Sequence, residues 1–156
     1  MLLDAAPADA RPVLVVEDSD DDFDTVVVAA TRAKVCNRLV RATGADAAQR
    51  LLALDPAGTF AFMLLDYNLP GMDGLGLLDQ VRRNGMLTHL PVVVFTTSVS
   101  PLDRDAFRAA GASAFHVKSV QYADCLRTIT SIFDRWLMRT APPIEAATSG
   151  FTRRPT

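Results

Sequence analysis

The sequence predicts an α/β domain whose parallel sheet is covered by helices on both faces. Strand-like and helix-like segments alternate about five times along the 156 residues. At least three of the strand-like segments are apolar throughout, which is typical of strands that are buried on both faces. Because alternating strands and helices are joined by crossover connections, these observations together predict one doubly wound parallel sheet.

The predicted strands are short apolar runs separated by polar segments. In chain order they are PVLVV at 12–16, RLVRA at 38–42, FAFMLL at 60–65, PVVVFT at 91–96 and AFHV at 114–117. The first, third and fourth runs are continuously apolar, which predicts buried strands. The second run is weaker, and His116 interrupts the fifth. We expect His116 and His89 to lie at the surface or at an edge of the sheet.

The predicted helices follow the strands. A helical period of apolar residues begins at Asp20, and the later helices are ADAAQRLLAL at 45–54, GLGLLDQVRRNG at 74–85, PLDRDAFRAAG at 101–111 and a last helix from about Gln121 to about Arg139. Three aspartates at 20–22 occupy the first turn of the first helix, where the helix dipole favours carboxylates. We expect them to be solvated helix-start charges rather than metal ligands.

Composition indicates a single soluble domain at 11–140, with a loose N-terminal lead-in at 1–10 and a flexible tail at 141–156. Apolar residues make up 49% of the chain, and the net charge is −2 with no Lys/Arg-rich block. This balance argues against nucleic acid or an anionic membrane as a partner. No signal peptide and no membrane-length apolar run is found, so we expect a cytoplasmic protein. We expect Cys36 and Cys125 to be reduced thiols packed in or near the core.

Polar residues stand where the predicted strands end. Glu17 and Asp18 follow the first strand, Asp66 ends the third, Thr96 ends the fourth and Lys118 follows the fifth. The carboxyl ends of parallel strands share one edge of the sheet, so these side chains converge there. Two like charges about 4 Å apart repel by about 4 kcal/mol, so three carboxylates need a cation, and hard oxygen ligands suit Mg²⁺. A lysine and a hydroxyl beside Asp66 can host a phosphoryl group, with Asp66 as the nucleophile.

At this point the sequence resembles the receiver domain of two-component response regulators. The motifs that carry the resemblance are VLVVEDSDDD, LLDYNLPGMDG, PVVVFTTS and FHVKS, and it extends from about Arg11 to Met138. The resemblance implies a flavodoxin-like (βα)5 sheet with strand order 2-1-3-4-5. It also implies a phosphoacceptor module that is not an enzyme beyond its own phosphorylation and dephosphorylation.

The resemblance assigns roles to the residues of this edge. Asp66 is the implied phosphoacceptor and also a metal ligand. Asp18 is the implied direct Mg²⁺ ligand, Glu17 acts on the metal largely through water, and Asn68 offers its backbone carbonyl.

The same resemblance assigns the residues that respond to phosphate. Thr96 and Lys118 are implied to bind the phosphoryl oxygens, and Phe115 takes the aromatic switch position together with Thr96. Ser119 stands where the family normally has a proline in a cis peptide. A cis bond before serine costs about 3 kcal/mol or more, so we expect a trans peptide between Lys118 and Ser119.

The partner is predicted to be a sensor histidine kinase. The segment VFTTS, the Lys-Ser pair and a last helix that extends to RWLMR are similar to the small receivers that serve bacterial phytochromes. A bacteriophytochrome is therefore the expected kinase. The tail after the last helix is too short for a DNA-binding output domain, so the output is expected to be a protein contact or a phosphorelay.

Two other functions stay open. A phosphohydrolase of the haloacid-dehalogenase type also uses an aspartate nucleophile at a strand end, but its second aspartate is replaced here by Asn68, and the chain has no room for a cap domain. A receiver-like binding module that is never phosphorylated is the other alternative.

A homodimer is expected through the faces of the last two helices and the last strand. Apolar residues recur at three- and four-residue steps along the last helix, which gives a wide stripe. Phe133, Trp136 and Leu137 lie towards its end, where we expect the sheet to have run out. An exposed tryptophan beside other large apolar residues usually marks an interface. The alternative is that Trp136 folds back under the tail.

Overall fold

The structure is a computed structural model that describes residues 10–54, 59–67 and 72–137. Its strands are β1 Val13–Val16, β2 Leu39–Ala42, β3 Met63–Tyr67, β4 Val92–Thr96 and β5 Ala114–Val117. Its helices are α1 Asp20–Arg32, α2 Ala45–Leu54, α3 Met72–Arg83, α4 Pro101–Ala109 and α5 Tyr122–Trp136. Most of the predicted lead-in and all of the predicted tail lie outside the described residues. None of the described helices is long and apolar enough to cross a membrane.

The five strands form one parallel sheet in the order β2-β1-β3-β4-β5, which confirms the predicted fold. The chain leaves β1 in one direction to form β2 and returns on the other side to form β3. Loops that leave β1 and β3 therefore turn away from each other and open a crevice at the carboxyl edge of the sheet. The predicted site residues lie at this edge.

Two apolar layers cover the sheet. One face packs on α2, α3 and α4, and the other packs on α1 and α5. Alternation along β1 shows the division, because Leu14 and Val16 belong to the first layer and Val13 and Val15 to the second. The side chains of β1 and β4 are buried along their whole length, whereas β5 at the edge is only half-buried.

The third strand begins later than its apolar run predicts. Phe60 to Phe62 are buried, but β3 starts at Met63 and extends beyond Asp66 to Tyr67. The backbone of residues 60–62 still bonds to the residue before β1, because the Ala61 N–H donates to the Pro12 carbonyl at 2.8 Å. A run of apolar residues indicates that the segment is buried. Here the buried segment begins three residues before the regular strand.

The end of α5 corrects the predicted dimer surface. Phe133 is fully buried and meets Phe62 edge to face, with 6.0 Å between the ring centroids. Leu137 is also fully buried, and Trp136 is half-buried against the layer formed by α1 and α5. The helix lies against α1 and the sheet up to its last turn, so the sheet does not run out where the sequence suggested. Placing Phe133 and Leu137 on an exposed surface was wrong.

Candidate functional site

Asp66 is a buried carboxylate at the carboxyl end of a central strand. It lies beside Phe95 in the parallel pairing of β3 with β4, and only 1% of the residue is exposed. Hydrogen bonding to β1 on one side and β4 on the other fixes the path of β3 up to this point. A carboxylate in such a place is destabilising unless a positive charge accompanies it.

Lys118 supplies that positive charge. Its backbone N–H donates to the Thr96 carbonyl at 2.7 Å, which anchors the residue at the end of the neighbouring strand. Its Nζ contacts Asp66 Oδ1, lies 2.9 Å from Asp22 Oδ2 and 3.6 Å from Glu17 Oε1. Burial alone would lower the Lys118 pKa, but the charge of Asp66 and the hydrogen bonds to Asp66 and Asp22 raise it above its ordinary value. One ammonium group is thus shared by three carboxylates.

The three carboxylates form a cluster that could hold a metal ion. Glu17, Asp22 and Asp66 each offer an oxygen, and these atoms lie within 4.8 Å of one another. Burial, followed by the hydrogen bond and charge of Asp66, raises the pKa of Glu17 to about 9. Burial likewise raises the pKa of Asp66.

The donor set of this cluster fits a hard divalent cation. All three donors are carboxylate oxygens, the type that Mg²⁺ and Mn²⁺ accept. Glu17 Oε2 accepts a hydrogen bond from the Ser19 N–H at 2.8 Å, but its buried Oε1 has no hydrogen-bond partner in the described part of the chain. Because burial is the main cause of the raised pKa values of Glu17 and Asp66, a cation at the cluster would favour the charged forms of both carboxylates.

The membership of the cluster differs from the sequence prediction at two residues. Asp18 is exposed and is not among the clustered carboxylates, and its role as a direct ligand stays a prediction. Asp22 was expected to be solvated, and this was wrong, because it pairs with Lys118. A signal for Asp22 was present, since Val26 and Ala29 follow it at four and seven residues and are buried, which puts all three on one helix face. Asn68 lies outside the described residues.

The two predicted phosphate-responsive residues of the neighbouring strands are in different surroundings. Thr96 is buried at the end of β4, and its hydroxyl oxygen accepts the Ser98 N–H at 3.2 Å. Phe115 is half-buried on β5 and packs against Phe107, with 5.8 Å between the ring centroids. A change of rotamer at Phe115 stays a prediction. Among the described residues no peptide bond is cis, so the bond between Lys118 and Ser119 is trans, as predicted.

The remaining titratable candidates lie near the surface. His116 is half-buried on the edge strand β5, and burial, followed by the charge of Arg135, lowers its pKa. His89 is exposed. Cys36 and Cys125 are both free thiols, as expected, but Cys36 is exposed rather than packed in or near the core.

An open cavity gives access to Asp66. Its volume is about 170 Å³, and Asp66, Lys118, Ser119 and Tyr122 are among the residues that line it. The cavity lies between the beginnings of α1 and α5, beside the shared ammonium group.

Sequence reasoning missed one basic residue at the same edge. Arg41, near the end of β2, donates from Nε to the Glu17 carbonyl at 3.0 Å and from Nη1 to Asp20 Oδ1 at 2.7 Å. A charged residue inside a short strand was the available signal. The sequence could not indicate its partners, because they belong to a loop that follows another strand.

The response regulator receiver domain model matches residues 13–130, which is most of the chain. The chain belongs to this family. The receiver is 30% identical over 121 residues to the chemotaxis protein CheY-3 of Vibrio cholerae, an alignment that covers 74% of this chain and 88% of CheY-3. This assignment favours a receiver over a haloacid-dehalogenase-type hydrolase.

Solved structures of response regulators share the receiver's architecture. The Mn²⁺-bound form of Rcp1 is 28% identical, with a TM-score of 0.74, and the match covers 85% of this chain and 99% of Rcp1. RPA3017, a response regulator in red light signalling of R. palustris, is 26% identical, with a TM-score of 0.73 and coverage of 85% and 98%. The resemblance thus extends to almost the whole length of these single chains.

Proposed function

We propose that the receiver accepts a phosphoryl group on Asp66 from a sensor histidine kinase. The observation that carries this proposal is the buried Asp66 carboxylate in contact with Lys118, grouped with two further carboxylates beside an open cavity. Membership of the receiver family supports it. In this role the protein is a signalling module and catalyses at most its own phosphorylation and dephosphorylation.

The transfer needs few groups from the protein. An oxygen of Asp66 forms a bond to phosphorus while the bond from phosphorus to the imidazole nitrogen of the donor histidine breaks, and that nitrogen leaves. The Lys118 ammonium and the Thr96 hydroxyl donate hydrogen bonds to the phosphoryl oxygens. Positioning and charge therefore supply most of the catalysis.

A magnesium ion is proposed at the acidic cluster. Glu17, Asp18, Asp22 and Asp66 would hold it, together with the backbone carbonyl of Asn68. When bound, the ion supplies positive charge that offsets the repulsion between the carboxylates and the incoming phosphoryl group. The oxygen-only donor set and the Mn²⁺-bound form of the similar Rcp1 support a divalent cation.

The proposed kinase is a bacterial phytochrome. Support comes from the likeness to RPA3017, which belongs to red light signalling in R. palustris, and from the Lys118-Ser119 pair. We propose that the receiver works in the cytoplasm without contacting nucleic acid or membrane. Its output would be a protein contact or transfer of the phosphoryl group to another carrier, and its assembly a homodimer.

The test is phosphorylation by a small donor. Intact-protein mass spectrometry after incubation with acetyl phosphate and Mg²⁺ should find one added phosphoryl group on the wild type and none on Asp66→Asn. Asp21→Asn is the matched control, because Asp21 is an exposed aspartate close to the site, and it should be modified like the wild type. An unmodified wild type would favour the alternative of a binding module that is not phosphorylated. Turnover of a small phosphate ester would favour a hydrolase.

A further inference from the structure

We infer that Arg41 is a positioning residue that holds the loop between β1 and α1, residues 17–19, and the first residue of α1, Asp20, in the shape that binds the divalent cation. Arg41 belongs to β2 and does not belong to the carboxylate cluster. The inference rests on the metal site of the proposed function and adds a residue on which the affinity of that site depends.

Arg41 holds the loop on both sides of Asp18. Its Nε donates to the carbonyl of Glu17, which precedes Asp18, at 3.0 Å. Its Nη1 pairs with the carboxylate of Asp20, which follows Asp18 by two residues, at 2.7 Å. One planar group thus makes a backbone contact before the exposed Asp18 and a side-chain contact after it, which favours a single course of the chain through Asp18.

The guanidinium itself is held in place from two directions. It stacks over the Phe23 ring, 5.1 Å from the ring centroid, at the start of α1. The backbone of Arg41 is held in β2, where Arg41 pairs with Val15 of the central strand β1. A lysine could not reproduce this arrangement, because an ammonium group offers neither the planar fork nor the stacking surface.

The aspartate that pairs with Arg41 lies outside the acidic cluster. The clustered carboxylates are those of Glu17, Asp22 and Asp66, whereas the Asp20 carboxylate is paired with the guanidinium and its side chain is 88% exposed. The Arg41 Nη2 is buried and has no hydrogen-bond partner in the described part of the chain, which is unfavourable for folding. The arginine is therefore better explained by what it positions than by stability alone.

The test is the affinity for Mn²⁺, measured by isothermal titration calorimetry on the full chain. Arg41→Gln should bind Mn²⁺ about tenfold more weakly than the wild type, as expected when a residue that orients a ligand is lost. Arg41→Lys should show most of the same loss. Arg38→Gln is the matched control, because Arg38 is an exposed arginine immediately before β2, and its affinity should equal that of the wild type.

A second readout separates positioning from a structural role. At saturating Mg²⁺ the rate of phosphorylation of Arg41→Gln by acetyl phosphate should return to the wild-type rate, because the metal then orders the loop itself. Phe23→Leu, which keeps both bonding partners of Arg41 and removes the ring, should weaken Mn²⁺ binding in the same direction. It serves as the test if Arg41→Gln does not fold.

Four results would overturn the inference. They are an Arg41→Gln affinity within twofold of the wild type, a wild-type affinity in Arg41→Lys, a rate that stays low at saturating Mg²⁺, and, if Arg41→Gln does not fold, an unchanged affinity in Phe23→Leu. A wild type that binds no Mn²⁺ would overturn the metal site of the proposed function as well. Failure of the inference alone is recognised by a wild type that binds Mn²⁺ and is phosphorylated on Asp66.

Discussion

Some residues of the site could be predicted from their place at the end of an apolar strand, and others could not. Asp66, Thr96 and Lys118 were predicted correctly as neighbours of one edge, because each is the first polar residue at the end of an apolar run and parallel strands end together. Asp22 and Arg41 were missed. The position of Asp22 depends on how α1 is rotated about its axis. The partners of Arg41, Glu17 and Asp20, follow a different strand, so the sequence around Arg41 does not indicate them.

Asp22 is expected to strengthen metal binding. It is the third carboxylate of the cluster and lies 2.9 Å from Lys118. Asp22→Asn should weaken Mg²⁺ binding by roughly three- to tenfold, a modest loss because the side chain is about a third exposed and partly screened by solvent. The measurement is the rise in melting temperature as Mg²⁺ is added. Asp21→Asn should follow the wild-type curve, and an equal loss in both variants would argue against a specific role for Asp22.

Glu17 predicts a pH dependence for the metal-free protein. Its pKa is about 9 in the folded state against an ordinary value of 4.5, so between these values the folded protein holds a proton that the unfolded chain has released. The free energy of unfolding should therefore fall as pH rises from about 5 to 9, by up to about 1.4 kcal/mol per pH unit. Urea unfolding in EDTA at several pH values measures this slope. Glu17→Gln should give a shallower slope, and an unchanged slope would contradict the assignment.

At the scale of elements, α1 connects helix capping to the site. Ser19 is the N-cap of α1, and its hydroxyl oxygen accepts the Asp22 N–H at 3.2 Å. Ser19→Ala should lower the free energy of unfolding by about 1 kcal/mol, the usual effect of losing an N-cap. Because this hydrogen bond fixes the backbone of Asp22, a member of the carboxylate cluster, Ser19→Ala should also weaken Mg²⁺ binding.

Ser100 provides the matched control for this prediction. It is the N-cap of α4, where its hydroxyl oxygen accepts the Leu102 N–H at 3.2 Å. Ser100→Ala should cause a similar loss of stability in urea unfolding but leave the Mg²⁺ affinity, measured by calorimetry, unchanged. Equal effects of both variants on affinity would mean that metal binding follows overall stability rather than the geometry of α1.

The ends of helices and strands were predictable where a run of apolar or polar residues ended sharply. β5 was predicted with its observed bounds, and α4 begins at the predicted Pro101. β3 was predicted three residues early, because Phe60 to Phe62 are as apolar as the strand that follows them. Composition alone cannot distinguish a buried segment that precedes a strand from the hydrogen-bonded strand itself.

At the scale of the whole molecule, the sequence predicted the layered architecture correctly, but it did not predict which apolar side chains of α5 are exposed. Alternating strands and helices predicted the sheet and the helices on both faces. The stripe along α5 was wider than a flanking helix needs, and the surplus was assigned to a partner. In the structure α1 also packs on α5, and this contact uses the surplus within one chain.

The predicted homodimer therefore needs a different surface from the end of α5. Exposed apolar side chains on the last two helices include Leu102 of α4 and Tyr122 of α5, which are 79% and 54% exposed. Sedimentation across a concentration series should show a dimer that Leu102→Ser or Tyr122→Ser weakens. Phe133→Leu, a change inside the core, should alter stability but not association. A wild type that stays monomeric at high micromolar concentration, phosphorylated or not, would contradict the dimer.

The ion pair between Asp22 and Lys118 joins residues that are 96 positions apart in the chain. A ribosome therefore adds all three carboxylates of the cluster to the chain well before it adds the lysine that pairs with them. Until β5 docks beside β4, these carboxylates can approach one another only against their mutual repulsion, and long-range contacts of this kind form slowly. A nascent chain that stops short of residue 118 thus carries Asp66 but lacks the ammonium group that contacts its carboxylate.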